Sequence, residues 1–113
     1  MKMKIVNIEA GMPTVKEATV RLSLALRQAK AAGFATVKII HGYGSTGRGG
    51  AIKAGAQGFL AGKKADRSIK GFVKGEDFSP FHSEARRLLD LCPELSRDSD
   101  YDRSNQGITI VLL

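Results

Sequence analysis

The ten residues His41-Gly42-Tyr43-Gly44-Ser45-Thr46-Gly47-Arg48-Gly49-Gly50 combine an imidazole, a guanidinium and five glycines. They follow the apolar run Val37-Lys38-Ile39-Ile40 and precede a segment with helical spacing. Backbone N–H groups at a helix N-terminus, freed of side-chain bulk, can point at an anion. Gly42, Tyr43, Gly44, Ser45, Thr46 and Gly47 would form such a cradle, with Arg48 and Lys53 adding charge at the same end. The competing reading is a tight turn that needs positive φ angles and binds nothing. Five glycines beside an arginine favour a backbone that approaches a ligand.

Two phosphate motifs are excluded by their details. Gly42-Tyr43-Gly44-Ser45-Thr46-Gly47 satisfies G-x-G-x-x-G, but a dinucleotide fold needs an acid closing the next strand. Here Asp66 precedes that strand. The P-loop spacing also occurs, yet Arg48 and Gly49 stand where Lys and Ser/Thr are required, so the Mg²⁺ hydroxyl is missing. Nucleotide hydrolysis is rejected on that ground.

Other polar candidates are fewer. His41 closes one strand and Glu9 follows another. If those strand ends adjoin, Glu9 is a base within reach of His41; otherwise it is a solvated loop residue. Tyr43 could stack on a base or pack on the domain. His82 reads as a surface or capping residue and Cys92 as a core residue. Two histidines and one cysteine do not make a zinc site, so no metal ligands are assigned.

The strand-loop block from Val37 to Gly44 resembles the signature of the Smr (small MutS-related) domain: an apolar strand ending in His-Gly-x-Gly, then more glycines and a basic helix. Thr14-Val15-Lys16-Glu17-Ala18 is similar to the start of the first Smr helix, and Gly107 to Leu112 to its last strand. The resemblance covers residues 4–74 and 107–113, leaving 75–106 as an inserted helix and loop. It implies a two-layer α/β sandwich, DNA or RNA binding and, in some members, endonuclease activity. The family usually ends its first strand in Leu-Asp-Leu-His-Gly. This chain has Val6-Asn7-Ile8-Glu9-Ala10-Gly11, with Asn7 and Glu9 at the aspartate and histidine positions. Asn7 can neither bind a metal well nor handle a proton. A divalent metal enters only under the endonuclease reading.

The elements that must position these groups follow from local signals. Residues 4–8 read as a strand. Thr14 and Glu17 form a capping box, and Val15, Ala18, Leu22, Ala25, Leu26 and Ala29 give the next helix an apolar stripe that ends at Gly33. Residues 36–41 are a second strand and 49–63 a second helix, whose Gly55, Gly58 and Gly62 lie on one face that can pack closely on the sheet. Residues 68–74 are a third strand. Ser79-Pro80 begins a third helix with Phe81, Ala85, Leu88 and Cys92 on one face. Residues 94–107 are polar, and are expected to be mobile and to lie away from the glycine loop, since acids repel nucleic acid. Residues 108–113, apolar on both faces, are an interior strand. The fold class is α/β: a four-stranded mixed sheet in the order β-α-β-α-β-(α)-β, as one domain.

Charge completes the reading. The chain of 113 residues carries a formal net charge of +7. Residues 18–65 contain eight basic side chains and no acid. Such a field attracts polyanions. One cysteine allows no internal disulfide, and no apolar run is long enough to span a bilayer. A cytoplasmic nucleic-acid-binding domain is expected, with no membrane partner. A nicking endonuclease of the same fold, with His41 and Glu9 as its catalytic centre, and a module for a small anion, a nucleotide or a protein, are the alternatives.

Overall fold

The computed structural model describes residues 3–43 and 48–113, and of Arg48 and Gly49 the backbone alone. Its elements run β1 (Met3–Asn7), α1 (Val15–Ala31), β2 (Thr36–Ile40), α2 (Arg48–Ala65), β3 (Gly71–Lys74), a 3-10 turn (Gly75–Asp77), α3 (Ser83–Leu91), a second 3-10 turn (Pro93–Arg97) and β4 (Ile108–Leu112).

The capping box is present: Thr14 Oγ1 accepts from the Glu17 amide at 3.1 Å, and Glu17 Oε1 accepts from the Thr14 amide at 2.9 Å. At the other end Gly33, with φ 82°, turns the chain so that Phe34 N–H reaches the Ala29 carbonyl at 2.9 Å. Between these ends Ala18, Leu22, Leu26 and Ala29 are buried. Each such leucine contributes about 2 kcal/mol by leaving water.

The sheet order is β1-β2-β4-β3. β1 and β2 are parallel, and β4 is antiparallel to both its neighbours. β4 is buried along its whole length, as its apolar composition requires. Alternation along the strands splits the core. Val37, Ile39 and Val111 face α1 and α2, whereas Ile108, Ile110, Leu112 and Val73 face α3 and the turn after it. The frame is thus a mixed sheet with α1 and α2 on one face, and α3 adds cover on the other face beside the edge strand β3.

Three expectations change. α3 begins at Ser83, not at Ser79-Pro80. Ser79 instead caps a local turn, its Oγ accepting from the Phe81 amide at 3.3 Å, and Phe81 is 85% exposed. Gly55 is pressed against Val15 of α1, while Gly58 and Gly62 face open space, so the glycine face does not pack on the sheet. Residues 94–106 are neither loose nor remote from the glycine loop. Leu95 is fully buried and Tyr101 packs edge-on to Phe78 at 5.1 Å. The Asp98 and Asp100 carboxylates meet Lys38 Nζ at 2.7 and 2.6 Å. Counting apolar groups missed the reason: a lysine buried in β2 turns two acids into anchors.

Burial alone would lower the Lys38 pKa, and its two carboxylate contacts more than reverse that, leaving it raised. Burial would raise Asp100, and hydrogen bonds from Asn105 and Lys38 hold it below the ordinary value. Lys38→Met would strand two nearly buried carboxylates, at a cost of about 3–5 kcal/mol. The Asp100 contribution is present above the ordinary carboxylate value and is lost as pH falls through its depressed one. Urea denaturation of Lys38→Met should show that deficit at pH 7 and a smaller one near pH 3. An unchanged midpoint at pH 7 would contradict the assignment.

Candidate functional site

β1, β2 and β3 all end at the same edge of the sheet, where β4 begins. His41 follows Ile40 and continues the row Val37–Ile39 on the α1/α2 face. It is fully buried. Its Nδ1 lies 2.6 Å from the Gly42 carbonyl and its Nε2 lies 2.8 Å from Thr109 Oγ1. A carbonyl can only accept, so Nδ1 carries the proton. Nε2 then accepts from the Thr109 hydroxyl, whose oxygen accepts from the Gln57 amide nitrogen at 2.7 Å. With the Gln57 amide in this orientation each donor meets an acceptor when the imidazole is neutral, the form that burial also favours. Burial first, and then the charge of Lys53, lower the His41 pKa; the Gly42 carbonyl, Glu76 and Glu9 oppose them.

The chain then turns at Gly42, with φ 66°. A Cβ there would overlap the Glu9 carboxylate. The two strand ends do adjoin, because Ile8 N–H reaches the Ile40 carbonyl at 3.0 Å. Asn7 is a cap rather than a reactive group. Its Oδ1 accepts from the amides of Glu9 and Ala10 at 2.9 and 3.0 Å. Arg21 Nη1 donates to the Ala10 carbonyl at 2.6 Å and fixes the same turn from α1. Glu9 is therefore held beside the glycine turn, as the sequence reading allowed.

The amides of His41 and Gly42 both donate to the Gly107 carbonyl, at 3.0 and 3.1 Å. They are spent on the fold and do not face a ligand. Tyr43 is 57% exposed. Gly44, Ser45, Thr46 and Gly47 lie outside the described residues, as does the side chain of Arg48. α2 starts at Arg48 with no acid in its first turn. Lys53 is not a free cation: its Nζ is 2.7 Å from Glu76 Oε2 and 3.0 Å from the Gln106 carbonyl. Burial would raise Glu76, but Lys53 and its own backbone amide hold it below the ordinary value.

Sequence reasoning missed Thr109, Gln57, Glu76 and Gly107. A hydroxyl alone in the apolar run Ile108-Thr109-Ile110 was the available signal. As to a metal, His41 has no nitrogen free to ligate one without breaking its network. No group of three or more His, Cys, Asp or Glu lies together among the described residues. The residues present therefore do not fit a metal centred on His41.

Gly42→Ala should cost about 1–2 kcal/mol from the left-handed backbone, with only a small further loss, because the Glu9 carboxylate ends a flexible side chain that can move aside. In Gly42→Ala/Glu9→Ala nearly the whole cost should remain, since it lies in the backbone, as a double-mutant cycle in urea would show. Because the folded-state pKa of His41 is depressed, its contribution is present above about 6.5 and lost as pH falls through the lowered value. Stability should already decline below pH 6.5 in the parent, and not over that range in His41→Gln.

The sequence model of the Smr domain family matches residues 10–78. Among solved structures, the chain is similar to the Smr domain of Thermus thermophilus MutS2, with a TM-score of 0.56 at 22% identity. That superposition covers 100% of this chain and 98% of the other. No curated protein sequence matches the chain significantly. With well over half of its residues matched, including the His41-Gly42 turn, this chain belongs to the Smr domain family.

Proposed function

We propose that this Smr domain binds DNA or RNA through phosphates gathered on the 42–50 loop and the first turn of α2. The observation that carries the reading is the position of the Gly42 turn. It leaves the end of the sheet and leads into a helix N-terminus without acids, within a stretch of eight basic residues and no carboxylate. Anions are favoured at such a terminus by the unpaired amides of its first turn. The amide of Gly42 and the nearby Glu9 argue against a phosphate at Gly42 itself. The contacts fall instead to Gly44–Gly47 and Arg48, with Tyr43 exposed for a base. Lys53, held by Glu76, positions the start of α2. Among the described residues no helix is long and apolar enough to cross a membrane.

Cleavage is the weaker alternative. His41 is buried and has both nitrogens occupied, and Asn7 caps a turn, so Glu9 alone would have to act as base. His41→Ala is expected to weaken binding by loosening the Gly42 turn, whether or not any cleavage accompanies it.

If about four phosphates of duplex DNA are contacted, log K should fall with log salt at a slope near −3.6. Arg48→Ala should reduce that slope by about one unit for every sequence tested. Fluorescence anisotropy at several salt concentrations measures both. A flat salt dependence, or an Arg48→Ala protein that binds like the parent, would remove the polyanion reading. A nicking assay on the same samples, with and without divalent metal, decides the alternative.

A further inference from the structure

The helical layer carries a second feature, near the C-terminal ends of α1 and α2. A groove of about 290 Å³ lies between them. Leu26, Phe59 and Ile69 make its apolar walls, and Arg27, Lys30 and Lys63 supply its charge. Ser23 and Ser68 add hydroxyls. Lys63 Nζ stands 5.3 Å from the centre of the Phe59 ring, which keeps that charge at the wall. Lys30 Nζ is 3.5 Å from the Ser68 carbonyl.

None of these three cations is ion-paired among the described residues, in contrast to Lys38, Lys53, Lys64 and Arg87. Asp66, on the adjoining turn, accepts from the amide and the hydroxyl of Ser68. Lysines in a last helical turn also offset the negative end of the helix dipole. That accounts for Lys30 and Lys63, but neither for Arg27 nor for an apolar groove with an aromatic wall beneath them.

We propose that this groove is a subsite for one nucleotide unit, its base against the apolar walls and its phosphate among Arg27, Lys30 and Lys63. Its volume sits at the lower end for small-molecule sites, so it takes one such unit. The unit is either a free mononucleotide or one residue of a single strand. The second source rests on the nucleic-acid reading above. Phe59 and Lys63 lie eleven and fifteen residues beyond Arg48 on α2, hence about 17 and 22 Å along the helix. A stacked strand at about 3.4 Å per residue would span that distance in five to seven nucleotides.

The test is amide chemical-shift mapping of the full chain with AMP, with inorganic phosphate and with a twelve-nucleotide single strand. AMP should shift amides of Ser23 to Lys30 and of Phe59 to Lys63. Arg27→Ala/Lys30→Ala, both exposed, should raise the AMP Kd about tenfold. Phe59→Leu should raise it about fivefold or more without altering the response to phosphate. Groove shifts with the strand but not with AMP also support the subsite and name the strand as its source. The strand should shift Tyr43 and Gly50 as well. Groove shifts without loop shifts would leave the subsite standing and remove the 42–50 reading. Shifts confined to the loop would do the reverse. Equal groove shifts from phosphate and AMP, with Phe59→Leu inert, would mean an adventitious ion only and overturn the proposal. A strand and AMP that shift nothing in the groove would overturn it too.

Discussion

A neutral imidazole with both nitrogens occupied sits where strand, helix and loop meet. His41 takes its place in the alternation of β2, so its ring is buried whatever else happens at the loop. Burial leaves it two ways to be satisfied: the carbonyl of the next residue and the hydroxyl of Thr109. The first bends the chain back at Gly42, and the second ties β4 to α2 through Gln57. An unsatisfied nitrogen in this position would cost about 1–3 kcal/mol. The turn geometry is thus fixed by a hydrogen-bond constraint one residue upstream of Gly42, and Gly42, with its positive φ, answers that constraint.

The same end of the sheet depends on one carbonyl from the far part of the chain. Gly107 accepts from two successive amides, and Asn105 Oδ1 accepts from the Gly107 amide at 2.9 Å. Asn105 also donates to Asp100 at 2.9 Å, and Asp100 is held by Lys38 in the middle of β2. A connected path of polar contacts therefore runs from the second face of the sheet to the start of the glycine loop. Gly75 closes the path, since any side chain there would overlap the Asn105 carbonyl. What reads as an insertion is, in energetic terms, a support for the loop.

Local grammar was legible in the sequence, and long-range pairing was not. Thr14 and Glu17 announce a helix start because a capping box satisfies two amides within four residues. Residues 108–112 announce an interior strand because no polar face exists to meet water. Glu9 could be placed beside His41 from the likelihood that sequential parallel strands adjoin. Lys38 gave no such signal, because its partners lie some sixty residues away. The spacing of Phe81 fits a helix face, but the chain spends Ser79 and Pro80 on a turn and the helix starts later. Gly55, Gly58 and Gly62 share a spacing and not a surrounding, since only the first meets a neighbouring helix.

Charge placement links the two faces to function. The chain is acidic beyond residue 75, and a domain with that sequence could have cancelled its own positive field. The structure limits this by pairing four of the eight acids beyond residue 75 with lysine or arginine: Asp98 and Asp100 with Lys38, Glu76 with Lys53, Glu84 with Lys64 and Arg87. A carboxylate neutralised at contact distance contributes little field beyond about a Debye length. The cations left unpaired include Arg27, Lys30 and Lys63, all on the α1/α2 layer that also carries the glycine loop. Glu76, the acid that meets α2 through Lys53, therefore need not repel an anion at the start of that helix. The attraction of the paired acids for lysines drawn from β2 and α2 is what lets an acidic segment support a basic surface.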